Sequence, residues 1–173
     1  MSTKGVYGFK INNETKCFIN FYDSYPGKLG NQFLNFLINN DLERVKKLCL
    51  SLSEYDNKKI NNVSKDLYFL NKIRSIDFWN DTSQVLSYFN KGLITYFNNA
   101  ENMLQNHISC EYAYIYNFDN HIFEVYINGD VKAVEFRLDS IPNNWNRMVE
   151  NFSEKNRDRI SEYMIKYVES QSF

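Results

Sequence analysis

The sequence predicts an α+β fold: a five-stranded antiparallel sheet, with two N-terminal and three C-terminal strands, a helical middle and C-terminal helices. Three observations carry this. Residues 5–11 and 16–21 alternate aromatic or β-branched residues with others around Asn12-Asn13-Glu14, the pattern of a hairpin. Residues 108–138 hold three more such runs, separated by Phe118-Asp119-Asn120-His121 and by Asn128-Gly129. Between them, over about residues 31–107, apolar residues recur at helical spacing. Strands gathered at both ends of a helical stretch give one sheet with helices on one face, a single domain over residues 1–173.

The elements follow in order. The second strand ends in Asn20-Phe21-Tyr22-Asp23-Ser24-Tyr25, and Pro26-Gly27 reads as a type II turn. Phe33, Leu34, Leu37 and Ile38 fall on one helical face. Asp41 is a suitable cap for a second helix with Leu42, Val45, Leu48, Cys49 and Leu52 inward. Residues 55–62 read as loop, and Ser64 caps a short helix through Ile73. Phe78-Trp79 forms an aromatic anchor, and Thr82 or Ser83 starts a helix that Gly92 ends. Cys110, Tyr112, Tyr114 and Tyr116 share one face of a strand over residues 108–116. Trp145, Met148, Val149 and Phe152 mark a short helix, and Ser153-Glu154 opens a last one with Ile160, Tyr163, Met164, Tyr167 and Val168 inward.

Composition narrows the function. With 173 residues the chain can bury a core without disulfide or metal. Its 20 basic and 21 acidic residues leave a net charge of −1, which disfavours a bulk phosphate binder and a DNA mimic alike. The odd cysteines Cys17, Cys49 and Cys110 form no Cys-x-x-Cys pair and read as reduced, buried thiols of a cytoplasmic protein. No apolar run approaches the ~18 residues of a membrane span.

The Asn20–Gly30 stretch gathers the candidate binding residues: Asn20, Tyr22, Asp23, Ser24, Tyr25, Lys28 and Gly30. Asp23 and Ser24 offer polar groups, Tyr22 and Tyr25 offer walls, and a helix beginning after Gly30 would suit an anion. Turn chemistry explains the same residues, since Asp and Ser accept backbone hydrogen bonds in Asx and Ser turns. His107-x-x-Cys110, with Cys17 and His121, is the one metal-like grouping, but strand cysteines are usually small buried hydrophobes; neither metal nor cofactor is assigned. Ser2 could act as an N-terminal nucleophile after loss of Met1, although such residues more often lie in a frayed tail. The chain has no Gly-x-Ser-x-Gly, phosphate loop, dinucleotide fingerprint or His-Glu-x-x-His.

The Gly5-Val6-Tyr7-Gly8-Phe9 hairpin, the Asp23-Ser24-Tyr25-Pro26 turn before Leu29-Gly30, and the Cys110-Glu111-Tyr112-Ala113-Tyr114 strand with its Phe123-Glu124-Val125-Tyr126 return resemble a family of small proteins encoded by phages, prophages and plasmids. The family pattern has His where this chain has Phe21, and Gly where it has Lys28. The resemblance implies a mobile-element setting in a bacterial host and no particular reaction. Together these features lead to the expectation of an accessory protein that binds a host protein, such as a CRISPR effector, and inhibits a defence system. A small hydrolase or nucleotide-handling enzyme, a protein that sequesters a small nucleotide, and a homodimer are the alternatives left open.

Overall fold

The computed structural model describes residues 3–54, 76–97, 104, 110–158 and 161–162. The fold is mixed α+β, as expected. Strands β1 (Gly5–Ile11), β2 (Glu14–Asn20), β5 (Tyr112–Asn117), β6 (Ile122–Ile127) and β7 (Val131–Arg137) form one sheet in the order β2-β1-β5-β6-β7. The helices are α1 (Asn31–Ile38), α2 (Leu42–Ser51), α3 (Ile76–Asn80), α4 (Thr82–Asn90) and α5 (Trp145–Lys155). Two short strands, β3 (Ser53–Glu54) and β4 (Tyr96–Phe97), pair in parallel within the helical middle; they were not expected.

The two strand groups meet where β1 lies against β5, with Gly5 opposite Tyr112 and Phe9 opposite Tyr116. This ladder is parallel, so the sheet is mostly rather than wholly antiparallel. The reason is connectivity. β2 runs back along β1 and ends opposite Gly5. The helical middle then returns the chain to that same end, where β5 starts. Parallel neighbours require such a long crossover.

Alternation along the strands decides which side chains meet the helices. Tyr7, Phe9, Phe18, Tyr114 and Phe123 share the main core with Phe33 of α1, Phe89 of α4 and Trp145 of α5. The rings interlock: Phe9 lies 5.3 Å from Phe89 and 5.5 Å from Phe33, and Trp145 stands edge-on to Tyr114 at 6.3 Å. Each such buried side chain contributes roughly 1.5–3 kcal/mol through area removed from water. The opposite face carries a smaller cluster of Val6, Cys17, Cys110, Ala113 and Ile115, with Leu104 against it.

Several local expectations hold. Asn12 and Asn13 both take positive φ in the first hairpin, and Asn128 and Gly129 do so in the last. Asp41 caps α2 by accepting from the Glu43 amide at 2.9 Å. Gly92 closes α4, where Leu93 N donates to the Tyr88 carbonyl at 3.0 Å.

Others are corrected. Pro26-Gly27 is not a type II turn: Pro26 opens a wide helical turn, Pro26–Gly30, that runs into α1. Pro is preset for a first helical position, and no positive φ occurs at Gly27. Ile38 is exposed, one position past the buried Phe33, Leu34 and Leu37. β5 starts at Tyr112, and a bend at Glu111 turns Cys110 to the face opposite the tyrosines. α5 passes unbroken through Ser153 and Glu154, and helical residues resume at 157–158 and 161–162 after a turn at Asn156, so the last helix opens later than expected. The expected helix after Ser64, the sequence around His107, and Ile160, Tyr163, Met164, Tyr167 and Val168 lie outside the described residues.

Candidate functional site

The Asn20–Lys28 segment runs from the end of β2, the sheet's edge strand, into the turn that starts α1. Its middle residue is clamped. Ser24 N donates to both the carbonyl and the hydroxyl of Thr3, at 3.3 and 3.2 Å. Its hydroxyl donates to the Asn20 carbonyl at 3.3 Å, and its own carbonyl accepts from the Tyr114 hydroxyl at 2.8 Å. A Cβ on Gly5 would stand 2.6 Å from both Ser24 Cβ and the Tyr112 carbonyl oxygen, so only glycine lets β1, β5 and the turn approach this closely. Burial holds the Tyr114 phenol well above its ordinary value, so it stays protonated and a donor.

Around this clamp the chain presents two aromatics to solvent. Tyr22 is 53% exposed and Tyr25 44%, while Ser24 between them is fully buried. Asp23 adopts the left-handed conformation at φ 54°, which a short polar side chain tolerates. Its carboxylate meets Lys28 Nζ at 3.0 Å. The hydrogen bond that Lys28 donates to this carboxylate, and then the carboxylate's charge, raise the Lys28 ammonium above its ordinary value.

A cleft of about 340 Å³ opens beside the turn, lined by Asn20, Tyr22, Asp23, Lys28, Gln32, Asn80, Asp81 and Thr82. Four of the seven residues singled out from sequence are therefore brought together: Asn20, Tyr22, Asp23 and Lys28. The remaining three have other placements. Ser24 serves the clamp, and Tyr25 projects to solvent away from the cleft lining. Gly30 is buried inside the continuous helical turn, beneath Trp145 and Tyr114. The helix α1 does start after it, at Asn31, but the preceding helical turn already takes the Asn31 amide, which donates to the Lys28 and Pro26 carbonyls.

The other side of the cleft was not anticipated. Asp81 caps α4 by accepting from Gln84 N at 3.0 Å. Asn80 Oδ1 accepts from the Phe21 amide at 2.9 Å and ties α3 to the turn. Thr82 is 2% exposed, and its hydroxyl faces the buried Tyr7 hydroxyl, neither having another hydrogen-bond partner among the described residues. Burial lifts the Tyr7 phenol far above its ordinary value, and a side-chain hydrogen bond with Thr82 offsets part of that. The only sequence signal was Asn80-Asp81-Thr82, which reads as a helix cap and says nothing of what it faces.

Other hollows among the described residues include two more. One of about 410 Å³ lies between α1 and α4 and shares Gln32 with the cleft. The other, about 140 Å³, lies on the far face of the sheet beside Glu124. That carboxylate, 6% exposed, accepts from the Tyr126 hydroxyl at 2.8 Å and from Lys132 Nζ at 3.1 Å. Burial foremost, then Glu124, raises the Tyr126 phenol. Burial opposes the Lys132 charge, but the hydrogen bonds it donates to Glu135 and Glu124 outweigh that, and its value rises.

The metal-like residues are dispersed. Cys17 and Cys110 lie in the small cluster, whereas His121 sits exposed in the β5–β6 turn. Burial pushes the Cys49 and Cys110 thiols up to about 12. No group of three His, Cys, Asp or Glu side chains among the described residues could hold an ion. Ser2 and His107 lie outside the described residues. No described helix is long and apolar enough to cross a membrane.

Fold and site thus define an α+β protein with a clamped, tyrosine-flanked turn at the rim of a polar cleft. No protein-family model, curated protein or solved structure matches the chain.

Proposed function

We propose that this chain is a mobile-element accessory protein that acts by binding, and that it inhibits a host defence system by engaging one of its proteins, a CRISPR effector being the class to test first. One observation carries the binding reading: Tyr22 and Tyr25 are exposed on either side of a fully buried, multiply hydrogen-bonded Ser24. Aromatic side chains dominate interface energetics, and a backbone already fixed loses little entropy on association. The defence-inhibitor setting rests on the resemblance to phage and prophage proteins. The thiols support binding over catalysis, since burial keeps Cys49 and Cys110 neutral at physiological pH. A hydrolase built on the Asp23–Gly30 segment has less support, because the Ser24 hydroxyl is buried and donates to the Asn20 carbonyl.

The test is phage plating on cells with and without a targeting CRISPR system, each expressing this chain or an empty vector. Plating restored only in the CRISPR-positive cells supports the reading. Equal plating with chain and vector, across systems of several types, contradicts it.

A further inference from the structure

The sheet has one covered edge and one open edge. β2 is flanked by α3 and β4, and its Lys16 Nζ donates to the Leu52 carbonyl at 2.9 Å. β7 is the other edge, with β6 its only strand neighbour among the described residues. No residue of β7 is fully buried. An open edge is a row of unpaired backbone donors and acceptors, a template for another strand. We propose that β7 pairs antiparallel with β7 of a second copy of this chain, in a two-fold dimer centred on Phe136.

The side chains select both the occupant and the register. Val134 pairs with Val125 and Lys132 with Tyr126, so Ala133 is a bulge that interrupts the ladder. Regular strand is left from Val134 to Arg137, which is still extended at φ −74° and ψ 145°. Phe136 lies opposite Phe123 on the core face and is only partly buried there. Glu135 and Arg137 lie opposite Glu124 and Ile122 on the other face, and both are exposed. Cross-strand neighbours share a face and faces alternate along a strand, so the two-fold axis must pass through a residue and not between two. Centring on Glu135 or on Arg137 sets like charges directly opposite, which destabilises. Centring on Val134 runs the pairing into the bulge at Ala133. Centring on Phe136 sets Glu135 against the partner's Arg137 and Arg137 against the partner's Glu135. Phe136 then meets the partner's Phe136, and Val134 the partner's Leu138, on the core face. In one copy Glu135 meets Lys132 at 3.0 Å and Arg137 meets Asp139 at 3.4 Å. Exposed pairs of this kind contribute little, so exchanging them for contacts across the dimer costs little.

The turn that carries Tyr22 and Tyr25 follows β2, at the opposite edge of the sheet, so the dimer does not rest on the partner reading. Sedimentation velocity on the whole chain tests it. The chain should pass from monomer toward dimer between about 1 μM and 1 mM. Arg137→Glu and Glu135→Arg should each weaken self-association about tenfold, because each sets like charges opposite one another. An equimolar mixture of these two variants should dimerise as wild type does, because opposite charges then face each other at both positions. Both side chains are exposed, so each variant should melt within a few degrees of wild type. The proposal is overturned if the wild-type chain is monomeric throughout that range. It is equally overturned if either reversal associates like wild type, or if the mixture associates no better than its components.

Discussion

Gly30→Ala sets two effects of opposite sign against each other. The residue is helical, with φ −59° and ψ −46°. On backbone grounds alone alanine should therefore stabilise by about 0.8–1.0 kcal/mol. Packing opposes this. The new Cβ would stand 2.6 Å from Trp145 Cη2 and 2.7 Å from Tyr114 Cε1, whereas carbon atoms rest at roughly 3.5–4.0 Å. Neither ring has room to yield, since both are buried and stand edge-on to each other. Overpacking of this kind costs about 1–3 kcal/mol. Displacing Tyr114 also strains its hydrogen bond to Ser24, a contribution of about 0.5–1.5 kcal/mol. The net expectation is a loss of about 1–3 kcal/mol, which lowers the melting temperature by roughly 2–12 °C for a chain of this size. Thermal unfolding followed by near-ultraviolet circular dichroism reads both the temperature and the environment of Trp145. An unchanged or higher melting temperature would mean that Trp145 and Tyr114 do not cover this turn.

Tyr114→Phe removes only the hydroxyl that holds the Ser24 carbonyl. It should cost about 1–3 kcal/mol in urea unfolding, because a buried acceptor loses its donor; the Ser24 amide should also exchange hydrogen faster. The thiols set a pH dependence. Folding raises Cys49 and Cys110 from 9.0 to about 12, so between those values the unfolded chain loses protons that the folded chain keeps. Their contribution is complete below pH 9 and is lost as pH rises toward 12, and the urea midpoint should fall across that window. A flat profile there would contradict the burial of these groups. Iodoacetamide at pH 8 should label both cysteines far more slowly in the native chain than in urea.

The sequence revealed periodicity well and facing poorly. The hairpins at Asn12-Asn13 and Asn128-Gly129 were legible because left-handed turns demand those residues. The Asp41 cap and the Gly92 stop were legible for the same local reason. The parallel β1–β5 ladder was not, since strand direction depends on where residues 31–107 deliver the chain. Pro26-Gly27 misled because the same pair suits a type II turn and a helix start; Leu29 and Gly30 packing inward decides between them. Half of the cleft was visible, as the residues Asn20, Tyr22, Asp23 and Lys28 lie within one short segment. Asn80, Asp81 and Thr82 come from about 60 residues downstream, and no local pattern announces that tertiary meeting. Glu124 was read only as part of a strand, and its burial depends on Tyr126 and Lys132 lying on the same face.

In the proposed binding mode, a turn fixed from beneath by Ser24 presents Tyr22 and Tyr25 to a partner. The double variant Tyr22→Ala, Tyr25→Ala, assayed by plating on CRISPR-positive cells alongside its melting temperature, tests it most directly. Both rings are about half exposed, so the melting temperature should hold within a few degrees while the restored plating is lost. Full plating activity in a normally folded double variant would contradict the claim.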